Sequence, residues 1–240
     1  MKHKLLITFL IFSLNIVNAG DTIGREYEHY KNSIYNILNF EDQKDILIFG
    51  SVALPVAFFI DEAVKKYAQE HGLYSNEMSR IGDLYGHRMG YFGVVSGMVI
   101  YDVAIRNSVE NSVASVRLIA EGVLAGQIVI ENLKVLTKRK RPNGSDTKSF
   151  PSGHSGGAFG LATCLNAIYG KKVGVPAYAM AVFVATSRIQ DNKHHLSDVI
   201  AGGMIGTMIA RGFAKEYKSH WRIEPEVTSS GLGISLNIRF

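Results

Sequence analysis

The sequence predicts an all-α fold: a single-domain helical bundle of about six core helices, with a short strand-like tail at its C-terminal end. Three observations lead to this prediction. Long apolar stretches recur along the 240-residue chain, and most of them end at a charged or polar residue. Residues 232–240 alternate between apolar and polar side chains instead. No internal repeat, low-complexity tract or linker divides the sequence.

The N-terminal segment is typical of a cleavable secretory signal. Lys2, His3 and Lys4 precede an apolar stretch over residues 5–17, and Ala19 closes a Val-Asn-Ala triplet. We therefore expect residues 1–19 to be a signal peptide and residues 20–240 to be the mature domain. The protein would then be exported across the inner membrane of a bacterium and be periplasmic, either soluble or membrane-associated. An uncleaved membrane anchor is the alternative.

Six apolar stretches are the predicted core helices, at residues 46–60, 89–101, 118–130, 155–170, 173–187 and 199–210. None contains the run of about 18 uninterrupted apolar residues that marks a membrane-spanning helix. Charged residues interrupt the middle stretches, namely Asp102, Arg117, Glu121 and Glu131. This composition favours a soluble or peripheral globule. An integral membrane protein is the alternative, because mean hydropathy is slightly positive.

Glycines four residues apart indicate where helices approach one another closely. They occur at three places: Gly82, Gly86 and Gly90; Gly93 and Gly97; Gly202 and Gly206.

The C-terminal tail has the period of a strand. Its apolar residues are Leu232, Ile234, Leu236, Ile238 and Phe240. We expect this strand to pair with a short extended segment of this chain or of a neighbour.

Three segments in the second half of the chain carry the residues that point to a function. They are Lys134 with Arg141, the sequence Pro-Ser-Gly-His at residues 151–154, and Arg188 with His194 and Asp198. Lys134, Arg141 and Arg188 supply three permanent cations, called here the cationic cradle. Guanidinium groups suit the oxygens of a tetrahedral oxyanion, so this set predicts a phosphate site.

The Pro-Ser-Gly-His segment is expected to begin a helix. Ser152 suits the N-cap position, which puts His154 in the first turn. Gly153 offers a backbone N–H that no side chain crowds. Helix N-termini bind anions readily, so Ser152 and Gly153 are candidate phosphate ligands.

The third segment supplies a nucleophile with its orienting group. His194 lies four residues before Asp198. A carboxylate at that position can accept a hydrogen bond from one imidazole nitrogen, which leaves the lone pair of the other nitrogen free to attack. His154 is a second histidine that can act as an acid. The arrangement needs no metal and no cofactor.

These segments resemble the type 2 phosphatidic acid phosphatase superfamily, which includes lipid phosphatases, bacterial class A acid phosphatases and vanadium haloperoxidases. The resemblance implies that the cationic cradle, the Ser152 hydroxyl and the Gly153 amide hold phosphate oxygens. It also implies that His194 attacks phosphorus, that Asp198 orients His194, and that His154 protonates the leaving oxygen. The sequence departs from the family at His195, where a bulky aromatic residue is usual. The spacing to Arg188 and Asp198 favours His194 over His195 as the nucleophile.

The predicted function is a metal-independent phosphatase that hydrolyses phosphomonoesters or diphosphates, with lipid phosphates as the leading substrates and a membrane surface or bilayer as the partner. A broad-specificity soluble periplasmic acid phosphatase is one alternative, and a vanadium-dependent haloperoxidase is another. Vanadate is expected to inhibit as a phosphate mimic.

Other functions find less support. The histidines His29, His71, His87 and His220 lack the spacing of zinc ligands, so no metal site is predicted. Nucleic-acid binding is not predicted, because no aromatic platform or reader motif accompanies the basic residues.

The single cysteine, Cys164, is expected to pack as a small apolar residue. Lys138, Arg139 and Lys140 are interpreted as a solvated helix face, or alternatively as an electrostatic guide for anionic substrates.

Overall fold

The computed structural model describes residues 19–105, 108–219, 221–228 and 231–238. Its elements in chain order are α1 (Ala19–Leu38), α2 (Phe40–His71), α3 (Asn76–Gly86), α4 (Arg88–Ala104), α5 (Val109–Thr137), α6 (Gly153–Tyr169), α7 (Lys171–Gln190), α8 (Leu196–Ser219), β1 (Trp221–Thr228) and β2 (Gly231–Ile238). The predicted all-α fold is confirmed. The apolar centre of the predicted signal peptide lies outside the described residues.

All six predicted core helices are present, within α2 and α4 to α8. Two further helices, α1 and α3, were not predicted. The short helix α3 begins at the N-cap Ser75, whose hydroxyl accepts from the Met78 amide. Its sequence has no long apolar run, so it lacks the pattern that predicted the core helices.

The centre of the bundle is the contact between α6 and α8. An added Cβ at Gly202 would meet the Ser152 carbonyl oxygen, and one at Gly206 would meet the Gly156 carbonyl oxygen. Only glycine allows the two backbones to approach this closely, as the four-residue spacing predicted. Cys164 is fully buried in the core beside this contact, as expected. Gly93 and Gly97 differ, since an added Cβ there would meet nothing within 4 Å.

The tail forms an antiparallel hairpin, in which Trp221 pairs with Ile238 and Thr228 with Gly231. The strand prediction is therefore confirmed for residues up to 238, and the strand's partner is a segment of this chain. The end of the predicted strand, at Phe240, lies outside the described residues.

The outer helices expose apolar side chains over much of their length. On α2, Phe59 is 90% exposed and Val52 is 65% exposed. Further exposed apolar side chains on α4, α5 and α7 are Phe92, Ile100, Ile128, Leu136, Val175 and Val182. By length and composition, two helical stretches could cross a membrane: Ile23–His71 and Val109–Thr137. So large an exposed apolar surface marks a site of contact with a membrane or another protein.

Four helix ends meet at one end of the bundle, because successive helices alternate in direction. They are the C-terminal ends of α5 and α7 and the N-terminal ends of α6 and α8. The Ser152 amide donates to the Asp198 carbonyl over 2.9 Å, which joins the first turns of α6 and α8. The three sequence segments with functional residues therefore come together at this end.

Candidate active site

His194 is held in one tautomer by two contacts. Its Nδ1 lies 2.7 Å from the Ser149 carbonyl oxygen, and its Nε2 lies 3.1 Å from Nη1 of Arg141. A carbonyl can only accept and a guanidinium can only donate, so Nδ1 carries the proton and Nε2 presents its lone pair. The side chain is 3% exposed, which restricts it to this orientation. The Nε2 lone pair therefore faces Arg141, one member of the cationic cradle.

Asp198 lies behind His194 but does not make its closest contact. The Oδ2 atom of Asp198 is 3.7 Å from Nδ1 of His194, farther than the Ser149 carbonyl. The same oxygen accepts from the Ser149 hydroxyl over 2.5 Å and from the His195 amide over 2.8 Å. Asp198 thus holds the Ser149 and His195 segments on either side of His194. The sequence showed the aspartate but not the Ser149 carbonyl, since nothing in a sequence marks a backbone acceptor.

Burial and neighbouring groups act in opposite directions on the pKa values of this pair. Burial, with the nearby Arg141 cation, holds the pKa of His194 below its usual value, although Asp198 and the Ser149 carbonyl oppose this. For Asp198, burial alone would raise the pKa. Contacts with His194, Ser149 and His195 and the charge of Arg139 outweigh burial and leave it below the usual range. A neutral histidine beside an ionised carboxylate is the state that a nucleophile requires.

Lys134 and Gly153 lie together at the start of α6. An added Cβ at Gly153 would lie 3.1 Å from Nζ of Lys134, so the glycine leaves room for the ammonium group. Lys134 is nearly buried and pairs with Glu131 over 2.6 Å. Ser152 is the N-cap of α6, and its buried hydroxyl accepts from the amide and the hydroxyl of Ser155. Its role as a phosphate ligand stays a prediction.

The two arginines of the cationic cradle are each paired with carboxylates. Arg141 donates from Nε to Asp146 over 2.8 Å. Arg188 is only 4% exposed and contacts Asp83 through Nη1 and Asp191 through Nη2, the latter over 2.6 Å. The Arg188 carbonyl accepts from the His194 amide over 3.2 Å, so the arginine also fixes the backbone of His194. Asp83 and Asp146 are about half exposed and can move towards solvent when an anion binds.

His154 is less firmly held than His194. Its Nε2 lies 3.2 Å from Oδ1 of Asp83, the oxygen that also contacts Arg188. This distance suits an ion pair, but the geometry is not that of a hydrogen bond, and the part of the chain that the structure describes offers Nε2 no other partner. Burial and the Arg188 cation lower the pKa of His154 to about 4, although Asp83 opposes them.

The basic run after α5 is not a solvated face at Arg139, and that interpretation was wrong for this residue. The Arg139 guanidinium donates to Asp198 and to Asp61, a residue of α2, over 2.7 Å in each case. It also lies 5.0 Å from the centre of the Phe58 ring. The sequence could not show this, because Asp61 is 78 positions from Arg139 and belongs to none of the three segments.

Outside this site, His29 pairs with Glu121 over 2.9 Å. Among the described residues, no group of three or more His, Cys, Asp or Glu side chains could hold a metal ion.

Comparison with known proteins places this arrangement in a family. The sequence model of the PAP2 superfamily matches residues 115–222, which include every residue of the cationic cradle, His154, His194 and Asp198. Residues 115–222 therefore carry the sequence pattern of the type 2 phosphatidic acid phosphatase superfamily. This confirms the resemblance on which the site was predicted.

Two curated proteins match part of the chain. Lipid A 4'-phosphatase of Helicobacter pylori is 36% identical over 97 residues, which are 40% of this chain and 49% of the relative. Lipid A 1-phosphatase of Porphyromonas gingivalis is 39% identical over 74 residues, which are 30% of this chain and 17% of the relative. The chain thus matches about half the length of the first relative and less of the second.

A solved structure from the superfamily has the same fold. The transmembrane PAP2 type phosphatidylglycerolphosphate phosphatase of Bacillus subtilis superposes with a TM-score of 0.57 at 17% identity, over 77% of this chain and 96% of that one. At this sequence identity, the superposition is evidence for the fold alone. It shows that the helices of the two proteins have a similar arrangement.

Proposed function

We propose that this protein is a metal-independent phosphatase that hydrolyses phosphomonoesters or diphosphates of lipids through a phosphohistidine at His194. The observation that carries the proposal is the fixed tautomer of His194, whose Nε2 lone pair faces Arg141 within the cationic cradle. A buried neutral imidazole beside the Arg141 cation is suited to attack on a phosphoryl group.

The first step transfers the phosphoryl group to the protein. The lone pair on Nε2 of His194 forms a bond to phosphorus, and the bond between phosphorus and the leaving oxygen breaks. The electron pair of that bond stays on the leaving oxygen, which takes a proton from His154. The cationic cradle stabilises the negative charge on the equatorial oxygens. Arg141 exchanges its contact with Nε2 for a phosphate oxygen.

The second step releases phosphate. Water gives a proton to His154, which is now neutral, and the water oxygen attacks phosphorus. The bond between phosphorus and Nε2 breaks, and its electron pair returns to His194. Both histidines end in the state in which they began, and neither step requires a metal. Asp198 stabilises the imidazolium character that His194 acquires between the steps.

Lipid substrates are supported by the position of the site. It lies at one end of a bundle whose outer helices expose apolar side chains, among them Phe59 and Phe92. A bundle inserted in a bilayer would hold this end at the level of lipid headgroups. The names of the two lipid A phosphatases that match the chain agree with a phosphorylated lipid.

The test is phosphate release by the purified protein in detergent, with a chelator present. The substrates are an aryl phosphate, phosphatidate, phosphatidylglycerol phosphate, an isoprenyl diphosphate and lipid A, each repeated with His194→Ala. We expect release from lipids and none from the variant. Equal turnover of the soluble ester would favour the broad-specificity acid phosphatase. Halide oxidation with vanadate, without phosphate release, would favour the haloperoxidase. Phosphate release by the variant would remove His194 as the nucleophile.

We also propose that the protein is exported and membrane-associated, with no cofactor of its own. The support for export is the N-terminal sequence over residues 1–19, and the support for membrane association is the exposed apolar surface of α2, α4, α5 and α7. N-terminal sequencing of the protein from isolated membranes tests export. A start at Gly20 is expected, whereas an intact N-terminus would indicate an uncleaved anchor.

A further inference from the structure

Arg139 joins two carboxylates that come from different parts of the chain. Its Nη2 donates to Oδ2 of Asp61, and its Nη1 donates to Oδ1 of Asp198, each over 2.7 Å. Asp61 is 5% exposed and Asp198 is fully buried. Two carboxylates this deeply buried require a cation between them, because the negative charge of each would otherwise have no compensating partner.

Asp61 also fixes the start of α8. The Ser197 amide donates to Oδ1 of Asp61 over 2.9 Å, and the Ser197 hydroxyl donates to Oδ2 over 2.6 Å. Arg139 donates to the same hydroxyl over 2.6 Å. A residue of α2 thus caps the first turn of α8, where an acid is favoured by the helix dipole.

The Arg139 guanidinium is restrained on a further side by α2. It lies 5.0 Å from the centre of the Phe58 ring, which in turn lies 5.7 Å from the Phe150 ring. Phe150 directly follows Ser149, whose carbonyl holds Nδ1 of His194. The α2 residues Phe58 and Asp61 therefore support both groups that lie against His194, the Ser149 carbonyl and the Asp198 carboxylate.

We propose that Asp61 and Arg139 form a positioning pair that holds the Asp198 carboxylate in place behind His194. The inference rests on the proposed phosphatase function and adds to it two residues that lie outside the three motif segments. Neither residue acts on the substrate. They fix the carboxylate from the side opposite Ser149, so that the imidazole cannot rotate away from the line of attack.

Asp61→Asn tests the pair with little change in shape. The amide keeps an oxygen for the Ser197 amide, but it cannot accept from both Arg139 and the Ser197 hydroxyl. We expect kcat to fall by about 10- to 100-fold, since small displacements of a reacting group cost this much. KM should stay within about twofold, because the cationic cradle is untouched.

The matched control is Asp45→Asn. Asp45 also lies on α2 and also pairs with an arginine, Arg211 of α8, over 2.6 Å, but this pair is exposed and distant from His194. A loss of kcat common to both variants would show a general effect of the contact between α2 and α8. It would overturn the positioning role, as would wild-type kcat in Asp61→Asn.

A double-mutant cycle separates positioning from folding. If Asp61 acts through Arg139, then Asp61→Asn should lower kcat far less in an Arg139→Met background than in the wild type. Each variant is first checked for a cooperative thermal unfolding transition. Independent effects that multiply in the double variant would contradict the proposal.

Vanadate affinity gives a readout that does not depend on turnover. Vanadium can accept the Nε2 lone pair, so vanadate binding by titration calorimetry reports whether His194 is correctly oriented. We expect Asp61→Asn to weaken vanadate binding by about fivefold or more, and Asp45→Asn to leave it unchanged. If the wild type bound vanadate but released no phosphate, the proposed function would fail while this comparison still decided the positioning role.

Discussion

The two histidines of the site differ in how firmly the protein holds them. His194 is buried and fixed at both ring nitrogens by Ser149 and Arg141. His154 is 30% exposed, and its Nε2 faces an Asp83 that is itself 57% exposed. The proposed nucleophile, His194, is therefore already held in place by the protein. The proposed acid, His154, would gain a firm hydrogen-bond partner only from the substrate's leaving oxygen. In the proposed mechanism, the protein is most rigid at the atom that bonds to phosphorus.

The largest expected effects come from replacing the two histidines in turn. His154→Ala should slow hydrolysis of a phosphatidate by about 10²- to 10⁴-fold, the usual contribution of a general acid. An aryl phosphate should be affected much less, because its leaving oxygen departs without a proton. The ratio of kcat values for the two substrates measures this. His194→Ala, in contrast, should remove turnover of both, and an equal loss for both substrates in His154→Ala would contradict the acid role.

The pH dependence should show that bound substrate favours the protonated form of His154. In the free protein the pKa of His154 is lowered to about 4, so its proton is lost as pH rises through that value. Bound phosphate carries negative charge, which raises the pKa of His154 in the complex. We expect the alkaline limb of kcat to lie at higher pH than that of kcat/KM. Superimposable limbs would show that substrate does not change the state of His154.

Asp83 should compete with phosphate for Arg188 and His154. Asp83→Asn removes the carboxylate charge from that position, so inhibition by vanadate should tighten by about two- to fivefold, as expected for a partly exposed ion pair. The control is Glu62→Gln, which breaks an exposed pair with Lys65 on α2. The measurement is the inhibition constant of vanadate at pH 7 for each variant. An unchanged constant in Asp83→Asn would show that the Asp83 carboxylate does not compete with anions for the cationic cradle.

Both histidines should make the folded protein less stable in acid. Because their pKa values are lowered in the folded state, the unfolded chain binds more protons below its ordinary histidine pKa of about 6.5. The free energy of unfolding should therefore fall as pH falls from about 6.5 towards 4, on the order of a few kcal/mol. The lowered pKa of Asp198 continues the trend below pH 4. Denaturant unfolding at several pH values measures this, and a His154→Gln variant should show a weaker dependence.

The sequence predicted the helical bundle and the groups at the centre of the site, because both leave short-range patterns. Apolar runs mark core helices, and the intervals between Arg188, His194 and Asp198 mark one short segment. The residues that support the site leave no such pattern. Asp61 meets Ser197 across 136 positions, and Asp83 meets Arg188 across 105. One weak signal existed, since Asp61 directly follows the apolar stretch that ends at Ile60.

The membrane relation was harder to predict from sequence. Interrupted apolar stretches favoured a soluble or peripheral globule, but the fold buries two of the four interrupting residues, Asp102 and Glu121. Asp102 is fully buried and accepts from the Tyr169 hydroxyl, and Glu121 is 6% exposed. The outward faces of these helices carry exposed apolar side chains together with Arg117 and Glu131. A charged residue within an apolar stretch therefore does not rule out a membrane-spanning helix until it is known whether its side chain points into the bundle or outward.

The glycine contact between α6 and α8 determines how a substrate can enter. Gly202 and Gly206 bring the two helix backbones together without intervening side chains, so the starts of these helices are in direct backbone contact. His154 and Asp198 both lie at these helix starts. We expect access from elsewhere on the rim, where Asp83 of α3 is half-exposed and contacts both His154 and Arg188. We expect the route of the lipid headgroup to pass beside α3, with the exposed outer helices guiding the acyl chains.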